Sequence, residues 1–132
     1  MPSSPRMPLV YVVDDDTDVL RSLQFLLETE GFSVGTFRSA EALLNAMTVG
    51  GADCLVIDYK MPGMSGIDLA DVLRRRDVDT PIILITGYPD ASIPAKAAIA
   101  GIRHVLVKPH VEDSLSSRIW DAINGDPQPS AP

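Results

Sequence analysis

Five short apolar runs alternate with stretches of helical spacing along this sequence. The runs show little alternation of apolar and polar residues, which is typical of strands that are buried on both faces. Between and after them, apolar residues recur every three or four positions, as on the buried face of an amphipathic helix. The predicted strands are Leu9–Val13, Ser33–Phe37, Cys54–Ile57, Ile82–Ile85 and Val105–Val107.

Start and stop signals give the approximate limits of five predicted helices. The first carries apolar residues from Val19 to Leu27 and stops at Gly31, and the second opens at the capping residue Ser39. Because Pro89 and Pro94 flank the start of the fourth helix, we expect that helix either to begin late or to be mobile. The last three helices are expected at about Ser65–Arg75, Asp90–Ala100 and Glu112–Asn124.

Strands that alternate with helices at this spacing predict right-handed crossovers and a parallel sheet. We therefore expect an α/β fold in which a five-stranded, doubly wound sheet lies between two layers of helices, giving three αβα layers. The domain is expected to span residues 9–125. Residues 1–8 and 126–132 are rich in Pro and Ser and lack periodicity, so they are predicted to be flexible tails.

Length and charge narrow the class of protein. A chain of 132 residues suits one domain, and its formal net charge of -7 disfavours direct binding to nucleic acid. It has no apolar stretch near the roughly 20 residues of a membrane span and no secretory signal, so we expect a cytoplasmic protein without membrane contact. The single cysteine, Cys54, is predicted to be buried and inert, and the basic run Arg74–Arg76 to be a solvated helix end.

The residues that follow four of the predicted strands could together form a polar site. Asp14–Asp16 follow the first strand, Asp58 the third, Thr86 the fourth and Lys108 the fifth. Taken singly, each could belong to a turn, a helix cap or an exposed strand end. The carboxyl ends of parallel strands lie at one edge of a sheet, however, and ligand sites form there. We therefore expect these side chains to meet.

The chemistry of this set favours a phosphoryl group on a carboxylate. Asp14, Asp15 and Asp58 would repel one another unless positive charge lies among them. Magnesium fits, because it prefers oxygen ligands and commonly bridges carboxylates to a phosphate. Lys108 adds an ammonium group, and the Thr86 hydroxyl can donate to a phosphoryl oxygen.

Four pieces of the sequence resemble the receiver domains of bacterial two-component response regulators. The resemblance covers about Leu9 to Ile123 and is closest to receivers that precede helix-turn-helix output domains. It implies the flavodoxin-like receiver form of the predicted α/β fold. The pieces are VVDDD at 12–16, LVIDYKMPGMSG at 55–66, IILITG at 82–87 and VLVKP at 105–109.

The resemblance also implies a role for each acid of the site. Asp58 would be the phosphoacceptor, and Asp14 and Asp15 would be the acids of a Mg²⁺ site. Asp15 and Asp58 would bind the ion directly, and Asp14 could act through a water molecule. The backbone carbonyl of Lys60 would be a further ligand.

The same resemblance assigns the cationic and hydroxyl groups. Lys108 would contact the phosphoryl group, and its bond to Pro109 would be cis, which costs little before proline. Thr86 would be the switch hydroxyl. Many receivers carry an aromatic residue behind that hydroxyl, where this sequence has Val105, so the coupling of Thr86 to such a residue is in question.

The resemblance implies a signalling switch and not an enzyme acting on other substrates. The phosphodonor would be a sensor histidine kinase or a phosphotransfer protein. The sequence contains no output domain, so we expect a stand-alone receiver that forms a homodimer or binds a separate output protein. Ile99, Val107 and Trp120 stand where many receivers have polar residues, and with Val105 they form a predicted apolar interface. The helical pattern also allows Trp120 to lie at the margin of the core.

Three other functions are weaker. A phosphohydrolase of the haloacid dehalogenase type would need Thr or Val at the fifth position of its Asp-x-Asp-x-(Thr/Val) motif, where this sequence has Asp18. A flavin-binding protein would place Asp14–Asp16 against the cofactor phosphate, with like charge. A receiver-like adaptor that is never phosphorylated should have lost some of the acids, Thr86 or Lys108.

Overall fold

The computed structural model describes residues 7–46, 51–87, 90–108 and 114–125. Within these ranges, strands and helices alternate along the chain as predicted. The strands are β1 (Leu9–Val13), β2 (Ser33–Phe37), β3 (Cys54–Asp58), β4 (Ile82–Thr86) and β5 (His104–Val107), and the helices are α1 (Thr17–Thr29), α2 (Ala40–Ala46), α3 (Gly66–Arg75), α4 (Ser92–Ile99) and α5 (Leu115–Ile123).

All five strands belong to one parallel sheet, in the order β2-β1-β3-β4-β5. The direction of strand addition reverses beside β1, which makes its boundary with β3 the topological switch point. The register pairs Val13 with Ile57 and Asp58 with Ile85. The residues that follow β1, β3 and β4 therefore leave the sheet at one edge. The predicted doubly wound α/β fold is confirmed.

Each face of the sheet has its own apolar core. One core lies under α1 and α5, and the other lies under α2, α3 and α4. Every residue of β3 and β4 is buried, which explains why these strands show no alternation in the sequence. Cys54 is buried as predicted, and burial raises the pKa of its thiol to about 12, so the thiol stays protonated.

The helix starts follow from local side-chain chemistry. Asp16 caps α1 by accepting hydrogen bonds from the N–H groups of Asp18 and Val19. α4 begins at Ser92, two residues after the predicted Asp90, because the Asp90 carboxylate accepts from the Ser92 N–H at 2.8 Å. Asp90 therefore precedes the helix instead of belonging to it.

Several predictions fall partly outside the described residues. The expected start of α5 at Glu112, the Pro89 position, the cis bond to Pro109 and most of the two predicted tails lie there. Across the described ranges, no helix combines the length and apolar character that crossing a bilayer requires.

Arg74 joins three backbone segments at the amino-terminal edge of the sheet. Its guanidinium donates to the carbonyls of Val78 and Thr80 at 2.9 Å and of Gly101 at 2.8 Å. These bonds tie the end of α3 to the approach to β4 and to the turn before β5. The prediction of a solvated basic run is therefore wrong for Arg74. Its guanidinium donates hydrogen bonds to backbone carbonyls that lie outside the strands and helices.

Replacement of Arg74 by methionine should lower the free energy of unfolding by about 2–3 kcal/mol, because three carbonyls lose a charged donor. Arg75→Met is the matched control. Arg75 forms an exposed pair with Asp71 at 2.6 Å, and such a pair contributes only about 0–1 kcal/mol. Urea denaturation of both variants checks this, and equal losses would contradict the special role of Arg74.

Candidate functional site

Three carboxylates meet at the carboxyl edge of the sheet. Asp14 follows β1 and is 4% exposed, Asp58 ends β3 and is 7% exposed, and Asp15 is exposed. One oxygen from each carboxylate lies within 4.8 Å of the other two. The structure thus brings together the three acids that the sequence predicted to converge.

Backbone hydrogen bonds orient Asp14. Its N–H donates to the Phe37 carbonyl at 3.1 Å, and its Oδ1 accepts from the Asp16 N–H at 2.9 Å. The first bond extends the pairing of β1 with β2 by one residue, and the second turns the chain into α1. Asp16 itself acts as the cap of α1, so only two of the three consecutive acids belong to the site.

Gly66 allows α3 to begin directly against the strand that carries Asp58. A Cβ atom on Gly66 would lie 2.6 Å from the Asp58 carbonyl oxygen and 2.7 Å from Leu84 Cδ1. The Gly66 N–H also donates to the Tyr59 carbonyl at 2.8 Å. Sequence reasoning did not assign Gly66 a part in the site, although a glycine at the first position of an apolar helix is a signal of close backbone approach.

Lys108 and Thr86 lie at the same edge of the sheet as the three carboxylates. Lys108 Nζ lies 3.5 Å from Asp58 Oδ1, and the Lys108 N–H donates to the Thr86 carbonyl at 2.8 Å. Thr86 is 2% exposed at the end of β4. Lys60 lies exposed in the loop after Asp58.

Charge is unbalanced at this edge. Burial and the neighbouring Asp14 carboxylate raise the pKa of Asp58 to about 6, while Lys108 lowers it. Burial likewise raises the pKa of Asp14, against the lowering effects of the Asp16 N–H and Lys108. One ammonium group therefore faces three carboxylates.

A hard divalent cation fits this donor set. The donors are all oxygens, and a spread within 4.8 Å is close to the separation of about 4.2 Å between opposite ligands of Mg²⁺. The ion would also supply the positive charge that the site lacks.

Comparison with known proteins agrees with this geometry. A sequence model of the response regulator receiver domain matches residues 10–120. The chain belongs to the response regulator receiver family. Receivers of two-component systems are phosphorylated on an aspartate, and they are generally regarded as signalling switches and not as enzymes.

The relatives are themselves response regulators. TodT of Pseudomonas putida is 37% identical over 125 residues, which are 95% of this chain and 55% of TodT. The transcriptional regulatory protein FixJ of Bradyrhizobium diazoefficiens is 37% identical over 114 residues, covering 86% of this chain and 56% of FixJ. The chain thus spans little more than half the length of these relatives, in agreement with the predicted resemblance to receivers that precede output domains.

A solved receiver domain from Clostridium thermocellum superposes with a TM-score of 0.84 at 30% identity, covering 90% of this chain and 96% of that one. The match confirms the receiver fold. The family assignment also decides against the haloacid dehalogenase and flavin-binding alternatives.

The receiver's predicted apolar interface is only partly assembled. Ile99 on α4 is 88% exposed, Val107 on β5 is 49% exposed, and Val105 is half-buried. Trp120 on α5 is 40% exposed, but its ring centroid lies 5.0 Å from that of the buried Phe32, which follows α1. The Trp120 ring therefore packs toward the α1 side of the receiver.

An open groove of about 550 Å³ lies between α4, β5 and α5, and Val105 and Arg118 line it. Trp120 is not among its lining residues, because Trp120 lies about 200° around α5 from Arg118. The structure therefore does not bring Trp120 into the groove beside α4 and β5.

Asp58→Asn should stabilise the metal-free receiver at pH 7.5 by about 1–2 kcal/mol, because it removes a buried charge. The folded pKa of about 6 lies above the unfolded value of about 3.9. The ionised carboxylate therefore costs stability progressively as the pH rises through this interval, and the gain should shrink toward zero near pH 4.

Urea denaturation in a chelator at several pH values measures this gain. Asp77→Asn is the control, since Asp77 is exposed and its φ of 61° suits asparagine. A gain for Asp58→Asn that is independent of pH would show a packing effect instead of charge repulsion.

Proposed function

We propose that Asp58 accepts a phosphoryl group from the phosphohistidine of a sensor histidine kinase or phosphotransfer protein, and that the phosphorylated receiver changes its binding to a protein partner. One observation carries this proposal. The Asp58 carboxylate lies within 4.8 Å of two other acids and 3.5 Å from the Lys108 ammonium group.

Among the three acids, Asp58 is the best placed to react. Asp14 Oδ1 is engaged by the Asp16 N–H at 2.9 Å, and Asp15 is exposed. Asp58 alone of the three is ion-paired with Lys108, and it ends the strand next to the one that ends at Thr86. A phosphoryl group on Asp58 would therefore lie within reach of both Lys108 and Thr86.

In the proposed reaction, an Asp58 carboxylate oxygen forms a bond to phosphorus while the bond from phosphorus to the histidine nitrogen breaks. The imidazole leaves and takes up a proton. Lys108 holds a negatively charged phosphoryl oxygen through the transfer, so that the protein contributes positioning and electrostatic stabilisation. The receiver would promote only its own phosphorylation and dephosphorylation.

Asp15 and Asp58 would hold Mg²⁺ directly, with Asp14 acting through water and the Lys60 backbone carbonyl as a further ligand. When bound, the ion supplies positive charge that offsets both the carboxylates and the phosphoryl oxygens. The all-oxygen donor set and its net negative charge support this assignment.

The acyl phosphate would act as the switch through charge. It would attract the Thr86 hydroxyl and Lys108, biasing the segments after β4 and β5. Moving a two-state equilibrium from 1:99 to 99:1 takes about 5.5 kcal/mol, and a hydrogen bond to a charged group contributes about 1.5–3 kcal/mol. Two or three new bonds supply that energy.

The proposed output surface is the face of α4 and β5 that carries Ile99 and Val107, beside the groove lined by Val105. Exposed apolar side chains beside an open groove suit a second copy of the chain or a separate output protein. Trp120 would belong to this interface only if the partner also reached the α1 side of α5.

The acceptor assignment predicts a mass increase of one phosphoryl group when the protein is incubated with magnesium and a small acyl phosphate. Asp58→Asn should abolish the increase, since an amide oxygen is a poor nucleophile. Intact-mass spectrometry measures both. Equal labelling of Asp58→Asn would end the assignment, and Asp77→Asn should label normally.

The metal assignment predicts that Asp15→Ala loses most phosphorylation and its dependence on magnesium, while the fold stays intact or becomes more stable as carboxylate repulsion is relieved. Labelling rates across a magnesium titration, together with circular dichroism, test this. Normal phosphorylation of Asp15→Ala at low magnesium would place the metal site elsewhere.

A further inference from the structure

An open groove of about 490 Å³ runs between α1 on one side and the end of β2 with the start of α2 on the other. Polar side chains line much of it, including Thr17, Gln24 and Thr36, and none of its lining residues is acidic. Two arginines, Arg21 and Arg38, also line the groove. Both are exposed, and within the described part of the chain neither guanidinium group forms a hydrogen bond or an ion pair.

The groove borders the acidic site. Arg38 directly follows Phe37, whose carbonyl accepts the Asp14 N–H at 3.1 Å. Thr17, at the other wall, is two residues beyond Asp15 and opens α1, which also carries Arg21 one turn later. An anion in the groove would therefore lie on the same edge of the sheet as Asp58.

Unpaired cations beside this site would reduce the repulsion between an anionic phosphodonor and the acidic edge of the sheet. A phosphodonor is an anion, and it must approach a protein of formal net charge -7 at the edge where three carboxylates meet. Like charge slows such an encounter, whereas a local cationic patch raises both the local concentration of an anion and its association rate. Arginine suits this purpose because its planar group can bind two phosphate oxygens at once.

We propose that the groove between Arg21 and Arg38 is an anion-binding site that receives the phosphoryl group of an incoming phosphodonor before its transfer to Asp58. The inference rests on the proposed function of Asp58 and adds a step to it. Neither arginine takes part in bond making. They act as positioning residues that increase the rate of productive encounter.

The test compares the wild-type protein with Arg21→Gln/Arg38→Gln, using acetyl phosphate as the donor, saturating magnesium and intact mass as the readout. At about 0.01 M ionic strength, where the screening length is about 30 Å, the variant should be phosphorylated about tenfold more slowly. The two rates should converge at about 1 M salt, where the screening length is about 3 Å. Dephosphorylation should be unchanged.

The matched control is Arg75→Gln/Arg76→Gln, which removes the same charge from the exposed end of α3, at the opposite edge of the sheet. It should react nearly as fast as the wild type. A second readout is titration with inorganic phosphate followed by amide NMR, in which saturable shifts should occur at Thr17, Arg21 and Arg38 and be lost in the groove variant.

Equal rates for the wild type and the groove variant at low salt would overturn the proposal. An equal loss in the control would also overturn it, because net charge and not the groove would then set the rate. These failures are distinct from failure of the proposed function. In them Asp58 is still labelled, whereas retained labelling of Asp58→Asn would refute the acceptor assignment itself.

Discussion

Repulsion among the Asp14, Asp15 and Asp58 carboxylates is the constraint on which this receiver depends. Two of these groups are buried, and the pKa of Asp58 is raised to about 6 by that burial and by Asp14. Lys108 offsets part of the excess negative charge, with its Nζ 3.5 Å from Asp58. The site is therefore stabilised by whatever brings positive charge to it.

The rest of the fold holds the carboxylates together against this repulsion. The buried strands β1 and β3 fix the backbone of Asp14 and Asp58 in register, and Gly66 lets α3 begin against the Asp58 carbonyl. At the opposite edge, Arg74 ties α3 to the segments before β4 and β5. The apolar cores supply the stability, since burial of each large aliphatic side chain contributes about 1.5–3 kcal/mol. This stabilisation offsets the repulsion among the carboxylates at the carboxyl edge of the sheet.

The negative charge of this site has opposite effects on a metal ion and on a phosphodonor. The acids that attract a metal also repel an anionic phosphodonor, so the proposed function needs cations near the site that do not neutralise it. Lys108 is already paired with Asp58. Arg21 and Arg38 are unpaired within the described residues and lie along a separate groove. In the proposed function, Lys108 would hold the transferred group and the two arginines would attract its donor, and this division of roles would resolve the conflict.

The sequence by itself determined the alternation of strands and helices, the parallel sheet and the identity of the acids, because uninterrupted apolar runs and capping residues are local properties of the chain. The polar residues after the strands could be assigned to one edge because parallel strands end together. Only the tertiary structure decided matters that depend on distant neighbours. Arg74 donates a hydrogen bond to the carbonyl of Gly101, which is distant in the sequence. Trp120 packs on Phe32 instead of lining the groove beside Val105. Helical periodicity says which face of a helix is polar or apolar, whereas the partner of a side chain is set by how the helices pack on the sheet.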